Sequence, residues 1–373
     1  MYIYIRTRHK RKVIQIFESK NKKQEAHIHT RMSRIASHAG SWYSSSPSQL
    51  LTELTGYLEV ASRKHKYPIP NAQICVSPHA GYTYCGSTMG HSFASLDISR
   101  EDALPLRFFI LGPSHHFYFR DTVMLSQFDT VNTPLGALKI DQSLCHQWYK
   151  GKETRELFEI LSSEDDEAEH SLEMQFSMLY ATLKYREVPD IDTNVKVVPM
   201  MISHNNAEIN DQLGILLANA FKDPHFHNYI IVSSDFCHWG KRFGYTAYAS
   251  SEEDIKELMS EQGGDDLESL TTRSKLDHHD VSIWESISIL DHYAMNMLGK
   301  MNVDQWELYL EATGNTICGQ HPLKLVIGMI EREIKETSRK EWKWHWLDYS
   351  QSSHAKKITD SSVSYTAGCI TKQ

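Results

Sequence analysis

The sequence predicts one α/β domain with a largely parallel central sheet that is flanked by helices. Short apolar runs near Ile74, Phe108, Val195 and Ile230 alternate with longer segments of helical periodicity, an alternation typical of a parallel sheet. The 373 residues and the 40% hydrophobic content suffice for a full hydrophobic core. Turns rich in histidine and cysteine are spread over residues 77–322 without a long linker, so we expect a single domain.

Residues 1–31 differ in charge from the rest of the chain and are predicted to be a basic N-terminal tail. They hold nine lysines and arginines and two acidic residues, a net charge of +7, which leaves −15 for residues 32–373. We expect this tail to be disordered or to be an extension from a start codon upstream of Met32. A targeting segment fits less well, because Glu18 and Glu25 are acidic and serines are few. The domain is therefore expected over residues 32–373.

Helical periodicity marks most of the segments between the predicted strands. Ser48 is suited to cap the first helix, since Leu50, Leu51, Leu54 and Leu58 follow it at helical spacing. The predicted helices cover residues 48–64, 144–161, 171–184, 209–221, 281–300, 303–313 and 323–336.

Two acidic stretches interrupt this pattern and are expected to be surface loops. Residues 162–169 (SSEDDEAE) lead into His170, and residues 250–280 carry many acidic side chains with little apolar content. The second stretch is predicted to be an acidic surface insertion in the domain. Its paired His278 and His279 are expected to be solvated rather than metal-binding.

Composition excludes several classes of protein. The formal net charge of −8 argues against a nucleic-acid partner, which requires a clustered positive face. No segment approaches the roughly 18 apolar residues that a membrane-spanning helix needs. Six cysteines are too few for a disulfide framework in a chain of this length. We therefore expect no membrane span and an intracellular location, the cytoplasm first and the nucleus second.

Histidine and cysteine are concentrated in four turns: SPHAGYTYCG from Ser77, LGPSHH from Leu111, SSDFCHWG from Ser233 and TICGQHP from Thr316. We expect each turn to close a strand-like run, as residues 74–76, 108–111 and 229–232 indicate for the first three. Because loops at the carboxyl ends of parallel strands converge on one crevice, the four turns predict one site. Its candidate metal or acid/base residues are His79, His115, Asp235, His238 and Cys318.

Two neutral imidazoles and one anionic ligand would leave coordination positions of Fe(II) open for oxygen or a substrate. The residue types alone do not decide whether the anionic ligand is Cys318 or Asp235. A thiolate favours Cu(I), Fe(II) or zinc, whereas a carboxylate favours Fe(II) or Mn(II). His238 and the anion that does not bind metal would then serve as a general base and its orienting partner.

Structural roles for the same residues compete with this hypothesis. His115 and His116 could cap a helix, and His170 of EHSLE could be the N-terminal residue of one. The coincidence of four similar turns favours the functional interpretation. The sequence contains no GxSxG, GxxxxGK[ST] or HExxH motif and no paired CxxC.

Seven motifs occur in an order that resembles the Memo family, the mediators of cell motility: HAGSWY at His38, SPHAGYTYCG, LGPSHH, EHSLE, SSDFCHWGKRFGY, NTICGQHP at Asn315 and SSVSYTAG at Ser361. The resemblance covers nearly everything after the tail. It implies a fold similar to class III extradiol (LigB-type) dioxygenases. By motif, it also implies metal ligands at His79, His115 and Cys318, with Asp235 and His238 in the same pocket. The expected lining comprises Trp42, Tyr82, His116 and His170.

The resemblance also implies a function. It predicts one mononuclear site for Fe(II) or copper and a role in redox signalling linked to cell motility or to invasive growth. The extradiol enzymes have a carboxylate where Cys318 stands, which argues against inherited ring cleavage. Three hypotheses follow: a metal-dependent oxidoreductase with a small molecule or oxygen at the metal, a non-catalytic module for a signalling protein or phosphopeptide, and a protein that sequesters copper or iron.

Overall fold

The computed structural model describes residues 2–7, 10–15, 32–98, 104–260, 266–339 and 341–372. Their strands are β1 (Tyr2–Thr7), β2 (Lys10–Gln15), β3 (Ser33–Arg34), β4 (Ala72–Ser77), β5 (Leu106–Gly112), β6 (Val123–Leu125), β7 (Thr130–Thr133), β8 (Gly136–Ile140), β9 (Phe158–Ile160), β10 (Val195–Ile202), β11 (His227–Ser233), β12 (His238–Trp239), β13 (Ala247–Tyr248), β14 (Glu268–Ser269), β15 (Trp342–Gln351) and β16 (Ser362–Lys372). Their α-helices are α1 (Pro47–Lys64), α2 (Tyr82–Ser95), α3 (Gln142–Lys150), α4 (Ser163–Ala168), α5 (His170–Tyr185), α6 (Ile191–Asn194), α7 (Ala207–Phe221), α8 (Glu252–Leu258), α9 (Ile283–Gly299), α10 (Val303–Thr313) and α11 (Gln320–Thr337).

A mixed sheet of twelve strands forms the centre of the described domain, and its middle is parallel. The parallel strands lie in the order β4-β11-β5-β10-β8. Strands β4, β5, β10 and β11 are almost wholly buried, because their valine, isoleucine and phenylalanine side chains are covered by helices such as α2 and α5. The predicted fold class, a single α/β domain with a largely parallel sheet flanked by helices, is confirmed.

The C-terminal strands were not predicted from the sequence. β16 runs antiparallel to β4 on one side and to β15 on the other, so it extends the sheet beyond its parallel part. Gly368 permits a close approach here, since a Cβ atom would lie 2.9 Å from the Trp346 ring. Serine and threonine alternate with apolar residues along β16, yet both faces are buried, so the pattern did not indicate a central strand.

The segment 144–161, predicted as one helix, is instead α3, a 3-10 turn and strand β9. The helix ends before Gly151, where a Cβ atom would lie 2.7 Å from the Gln147 carbonyl oxygen. Helix α2 was missed because of its glycines. Gly86 and Gly90 lie against Tyr57 of α1, and a Cβ atom on Gly86 would come within 2.2 Å of the Tyr57 ring. The glycines therefore allow α2 to pack closely against α1.

The expectation that residues 162–169 form a surface loop was wrong. Ser162 caps α4 by accepting the Asp165 N–H, and Asp166 and Glu169 are 2% and 1% exposed. Arg34 donates to the Asp166 carboxylate and to the Glu169 backbone carbonyl, while the Glu169 carboxylate accepts the backbone N–H groups of His115 and Ser171.

The proposed division into tail and domain stays a prediction. Strands β1 and β2 of the tail pair with each other, and residues 8–9 and 16–31 lie outside the described residues. Residues 250–280 include α8 and β14, while residues 261–265 lie outside the described residues. Among the described helices, none has the length and apolar character needed to cross a membrane.

Candidate metal centre

Three of the four motif turns leave the carboxyl ends of adjacent parallel strands. His79 lies two residues after β4, His115 three residues after β5 and Asp235 two residues after β11. Because β11 lies between β4 and β5, these turns meet at one edge of the sheet, as predicted. The fourth turn differs from the expectation, since it joins α10 to α11. Gly314 ends α10 in a left-handed conformation (φ 59°), and the chain then brings Cys318 to the same edge.

Three imidazoles form the centre of the site. One ligand nitrogen from each of His79, His115 and His170 lies within 4.8 Å of the other two. His170 is the first residue of α5, and its ring centroid lies 4.3 Å from that of His115 and 5.4 Å from that of His79. The group could therefore bind a metal ion, because neutral imidazoles at this spacing can share one ion.

His79 is fixed on both sides of its ring. Its Nδ1 atom lies 2.8 Å from the Ser233 hydroxyl, and its backbone N–H donates to Asp235 Oδ1 at 2.8 Å. Its Nε2 atom lies 3.2 Å from Cys318 Sγ. Burial, assisted by the neighbouring His115, His170 and His238, lowers the pKa of His79 well below its ordinary value. The ring is therefore neutral and presents Nε2 to the site.

His115 is oriented by a buried carboxylate. Glu169 accepts the backbone N–H of His115 at 2.7 Å and lies 2.9 Å from Nδ1 of the same residue. Burial alone would raise the pKa of Glu169, but the hydrogen bond and charge of His115 lower it to about 2. Glu169 is consequently ionised, and the bond at Nδ1 leaves Nε2 of His115 as the free ligand atom.

His170 is also held neutral at physiological pH. Burial, followed by the nearby His115, lowers its pKa to about 3 although Glu169 opposes the effect. The Trp42 ring lies 4.5 Å from the His170 ring at an angle of 34° and covers it from outside. The sequence predicted a lining position for His170. Because its ligand nitrogen lies within 4.8 Å of those of His79 and His115, His170 is also one of the residues that could bind a metal ion.

Cys318 adds sulfur beside the imidazoles. Besides its 3.2 Å contact with His79 Nε2, the Sγ atom accepts the Asp235 N–H at 3.2 Å. Burial, reinforced by the Asp235 carboxylate, raises the pKa of the thiol well above its ordinary value. Without a cation the sulfur is thus a protonated thiol, and a metal ion would have to displace that proton.

Asp235 and His238 lie beside this group with different partners. Burial raises the pKa of Asp235 to about 7, although the His79 N–H acts in the opposite direction. His238 directs Nδ1 at the carbonyl oxygens of Phe236 and Thr316, 2.8 and 3.1 Å away. Those carbonyls are the partners of Nδ1, and the assignment of Asp235 as the orienting partner of His238 stays a prediction.

Residues 34–369 match the family described as Memo-like protein. The chain belongs to the Memo-like family. A MEMO1 family protein of Saccharomyces cerevisiae, MHO1, is 47% identical over 91% of this chain and 98% of its own length. Protein MEMO1 of Homo sapiens is 33% identical over 91% of this chain and 97% of its own length.

One solved structure shows a weak similarity to this chain. An uncharacterized protein, JW3007, from Escherichia coli K12 is 16% identical and covers 70% of this chain and 86% of its own chain, with a TM-score of 0.33. A similarity this weak gives no information about the candidate metal centre. The Memo-like assignment therefore depends on the sequence relatives.

The predicted lining residues of this Memo-like chain take different positions. Trp42, 37% exposed, stands at the mouth, and His116 is exposed with its ring 6.3 Å from that of His170. Tyr82 is fully buried, with its hydroxyl donating to the Met174 carbonyl and its ring 5.3 Å from Tyr43. The structure thus brings Trp42 and His116 to the three imidazoles and places Tyr82 in the core of the domain.

A polar cavity of about 360 Å³ opens beside Trp42. Its lining includes Ser41, Ser44, Glu53 and Thr83. Exposed rings extend the apolar surface on this side of the Memo-like domain, since Tyr84 is 68% exposed and a Cβ atom on Gly81 would contact both Tyr84 and the Trp42 carbonyl. The surface beside Trp42 therefore combines hydroxyl groups with aromatic rings.

Sequence reasoning also missed the residues that hold α5 in place. Arg34 is 1% exposed and donates to Asp166 Oδ1 at 2.8 Å, to Glu173 Oε2 at 2.5 Å and to the Glu169 carbonyl at 2.9 Å. Glu173 also accepts the His38 N–H at 2.8 Å and the Tyr43 hydroxyl at 2.7 Å. The signal lay in EHSLE, where Glu169 precedes His170 as the N-cap of α5 and Glu173 lies in the first turn of the helix.

Proposed function

We propose that this Memo-like protein binds one redox-active metal ion, iron or copper, and acts in redox-linked signalling for cell motility or invasive growth in the cytoplasm or nucleus. The observation that carries the proposal is the group of three ligand nitrogens within 4.8 Å of one another, with Cys318 Sγ 3.2 Å from His79 Nε2. Imidazole and thiolate are ligands of copper, iron and zinc, whereas magnesium and calcium prefer oxygen.

Two ligand sets fit the residues. His79 and His115 belong to both, and either Cys318 or His170 completes the set. The thiolate would favour Cu(I), and three imidazoles would accept Fe(II) or Cu(II). When bound, such a metal would supply one-electron chemistry and an open position for oxygen or a small molecule.

The surrounding side chains support proton transfer at this position. Asp235, whose pKa burial raises to about 7, can hold or release a proton near neutral pH. His238 has Nδ1 engaged with backbone carbonyls, so its Nε2 atom is the one available to a ligand. Trp42 lies over His170 and limits the access of water.

The test is the metal content and affinity of protein purified without oxygen, followed by oxygen uptake on addition of a reductant. Wild type is compared with His79→Ala, Cys318→Ser and His170→Ala, and with His146→Ala as a control for an imidazole on the exposed face of α3. We expect near-stoichiometric iron or copper in wild type and control, and loss of metal in His79→Ala. A copper–thiolate absorption band that Cys318→Ser abolishes and His170→Ala retains would assign sulfur as the third ligand.

The outcomes separate three functions. Metal-dependent oxygen uptake that is lost with the metal supports an oxidoreductase related to the extradiol dioxygenases. Metal binding that suppresses superoxide formation, without uptake, supports sequestration of copper or iron. If neither iron nor copper binds, the proposal is wrong, and the exposed aromatic surface around Trp42 and Tyr84 favours the second candidate, a phosphopeptide-binding signalling module.

A further inference from the structure

The hydroxyl of Ser233 has more hydrogen-bonding neighbours than a single hydrogen can serve. Its Oγ atom lies 2.7 Å from the Ser171 carbonyl oxygen, 2.9 Å from Gln175 Nε2 and 2.8 Å from His79 Nδ1. All four residues are buried. Because a serine hydroxyl has one hydrogen and two acceptor lone pairs, each neighbour must have a definite role.

Two backbone carbonyls determine these roles. The Gln175 amide nitrogen also lies 3.0 Å from the Pro78 carbonyl oxygen, which can only accept, so the –NH₂ group of Gln175 faces both Pro78 and Ser233. The Ser171 carbonyl likewise can only accept. Two oxygens at 2.7 Å would repel without a hydrogen between them, so the Ser233 hydrogen points to Ser171. Ser233 Oγ is then left with acceptor capacity alone for His79.

We infer that Ser233 fixes the tautomer of His79, with the hydrogen on Nδ1 and the lone pair on Nε2. The opposite side of the ring is compatible with this tautomer, because the Cys318 thiol, 3.2 Å from Nε2, can donate its hydrogen to the lone pair there. Ser233 is thus a positioning residue, and Ser171 and Gln175 of α5 set the direction of its hydroxyl. The inference rests on the proposed function, since only the Nε2 lone pair can face the metal.

The consequence is that the first two turns of α5 organise all three imidazoles. The helix begins with His170, its preceding residue Glu169 orients His115, and Ser171 and Gln175 orient His79 through Ser233. A neutral hydroxyl therefore supports one imidazole and a carboxylate supports another. Loss of a hydrogen-bond partner that orients a metal-binding imidazole typically weakens metal affinity by roughly 10- to 100-fold.

The test is ¹⁵N NMR of the histidine rings in metal-free protein, together with metal titration. Wild type should show one hydrogen on Nδ1 of His79 and none on Nε2. Ser233→Ala should give a mixture of tautomers and weaken iron or copper binding by roughly 10- to 100-fold. Ser92→Ala is the matched control, because it removes another buried hydroxyl, which donates to the Val76 carbonyl.

A wild-type His79 ring with its hydrogen on Nε2 would overturn the inference, and this result needs no variant. Metal affinity in Ser233→Ala equal to that in Ser92→Ala would also overturn it. If wild type binds neither metal, the proposed function fails, whereas the ring tautomer in the metal-free protein still decides the role of Ser233. The two failures are therefore distinguishable.

Discussion

Both carboxylate oxygens of Glu169 face His115: one accepts its backbone N–H at 2.7 Å and the other lies 2.9 Å from Nδ1. Glu169 is 1% exposed, and its pKa of about 2 keeps it ionised at neutral pH. A carboxylate bonded to Nδ1 raises the electron density at Nε2 and fixes the ring plane. The turn after β5 is thereby attached to the start of α5.

Glu169→Gln should weaken metal binding by roughly 10- to 100-fold while the protein stays folded. An amide keeps one acceptor oxygen but loses the charge that makes His115 a stronger ligand. Metal titration measures the effect. Glu164→Gln, on the exposed face of α4, is the control and should leave affinity unchanged. Equal affinities in the two variants would show that Glu169 does not support the metal ligand.

Gly319→Ala should displace Cys318 from the site. A Cβ atom at position 319 would lie 2.2 Å from Ser234 Cβ and 2.8 Å from the Ser233 carbonyl oxygen, a backbone atom that cannot move freely. Overpacking of this kind typically costs about 1–3 kcal/mol of stability. We expect a lower unfolding midpoint in urea and loss of any metal–thiolate absorption. Gly299→Ala, with nothing within 4 Å, should change neither quantity.

The sequence predicted those strands and helices that have a clear local pattern of apolar residues. Strands near Ile74, Phe108, Val195 and Ile230 and the helix at residues 303–313 were found as expected. Their positions also placed His79, His115 and Asp235 at one edge, because the ends of adjacent parallel strands must meet. Local periodicity and sheet geometry were sufficient for this part of the site.

Other features depended on partners that are distant in the chain. Glu169 belonged to an acidic stretch that resembled a solvated loop, but its carbonyl oxygen accepts from Arg34, more than 130 residues earlier, and its carboxylate accepts from His115. Gly86 lies in helix α2, where the Tyr57 ring leaves no room for a larger side chain. Ser233 gained its proposed role from α5. Charge, glycine content and serine content gave no sign of these contacts, since each arises from tertiary packing.

Arg34→Met should destabilise the protein by about 3–5 kcal/mol, because it leaves the buried carboxylates of Asp166 and Glu173 without their cation. The free energy of unfolding in urea measures this change. Arg332→Met removes an exposed arginine that pairs with Asp211 and should cost less than about 1 kcal/mol. A similar loss of unfolding free energy in both variants would contradict the role assigned to the ion pairs of Arg34 with Asp166 and Glu173.

Glu173 should make the stability of the protein sensitive to acid. Burial alone would raise its pKa, but contacts with His38 and the Arg34 guanidinium lower it from 4.5 to about 2. Between these values the unfolded chain binds a proton at Glu173 and the folded chain does not, so stability falls as pH falls. The contribution is complete above about pH 4.5 and is lost towards pH 2.

The prediction is checked by the free energy of unfolding in urea at several values between pH 3 and pH 7. Glu173→Gln should be less stable than wild type at pH 7, where the ionised carboxylate accepts bonds from Arg34, His38 and Tyr43. The difference should shrink as pH falls, because protonation removes the same charge from the wild type. Glu164→Gln should follow the wild-type curve throughout. A gap between wild type and Glu173→Gln that stays constant from pH 7 to pH 3 would show that the carboxylate does not carry this dependence.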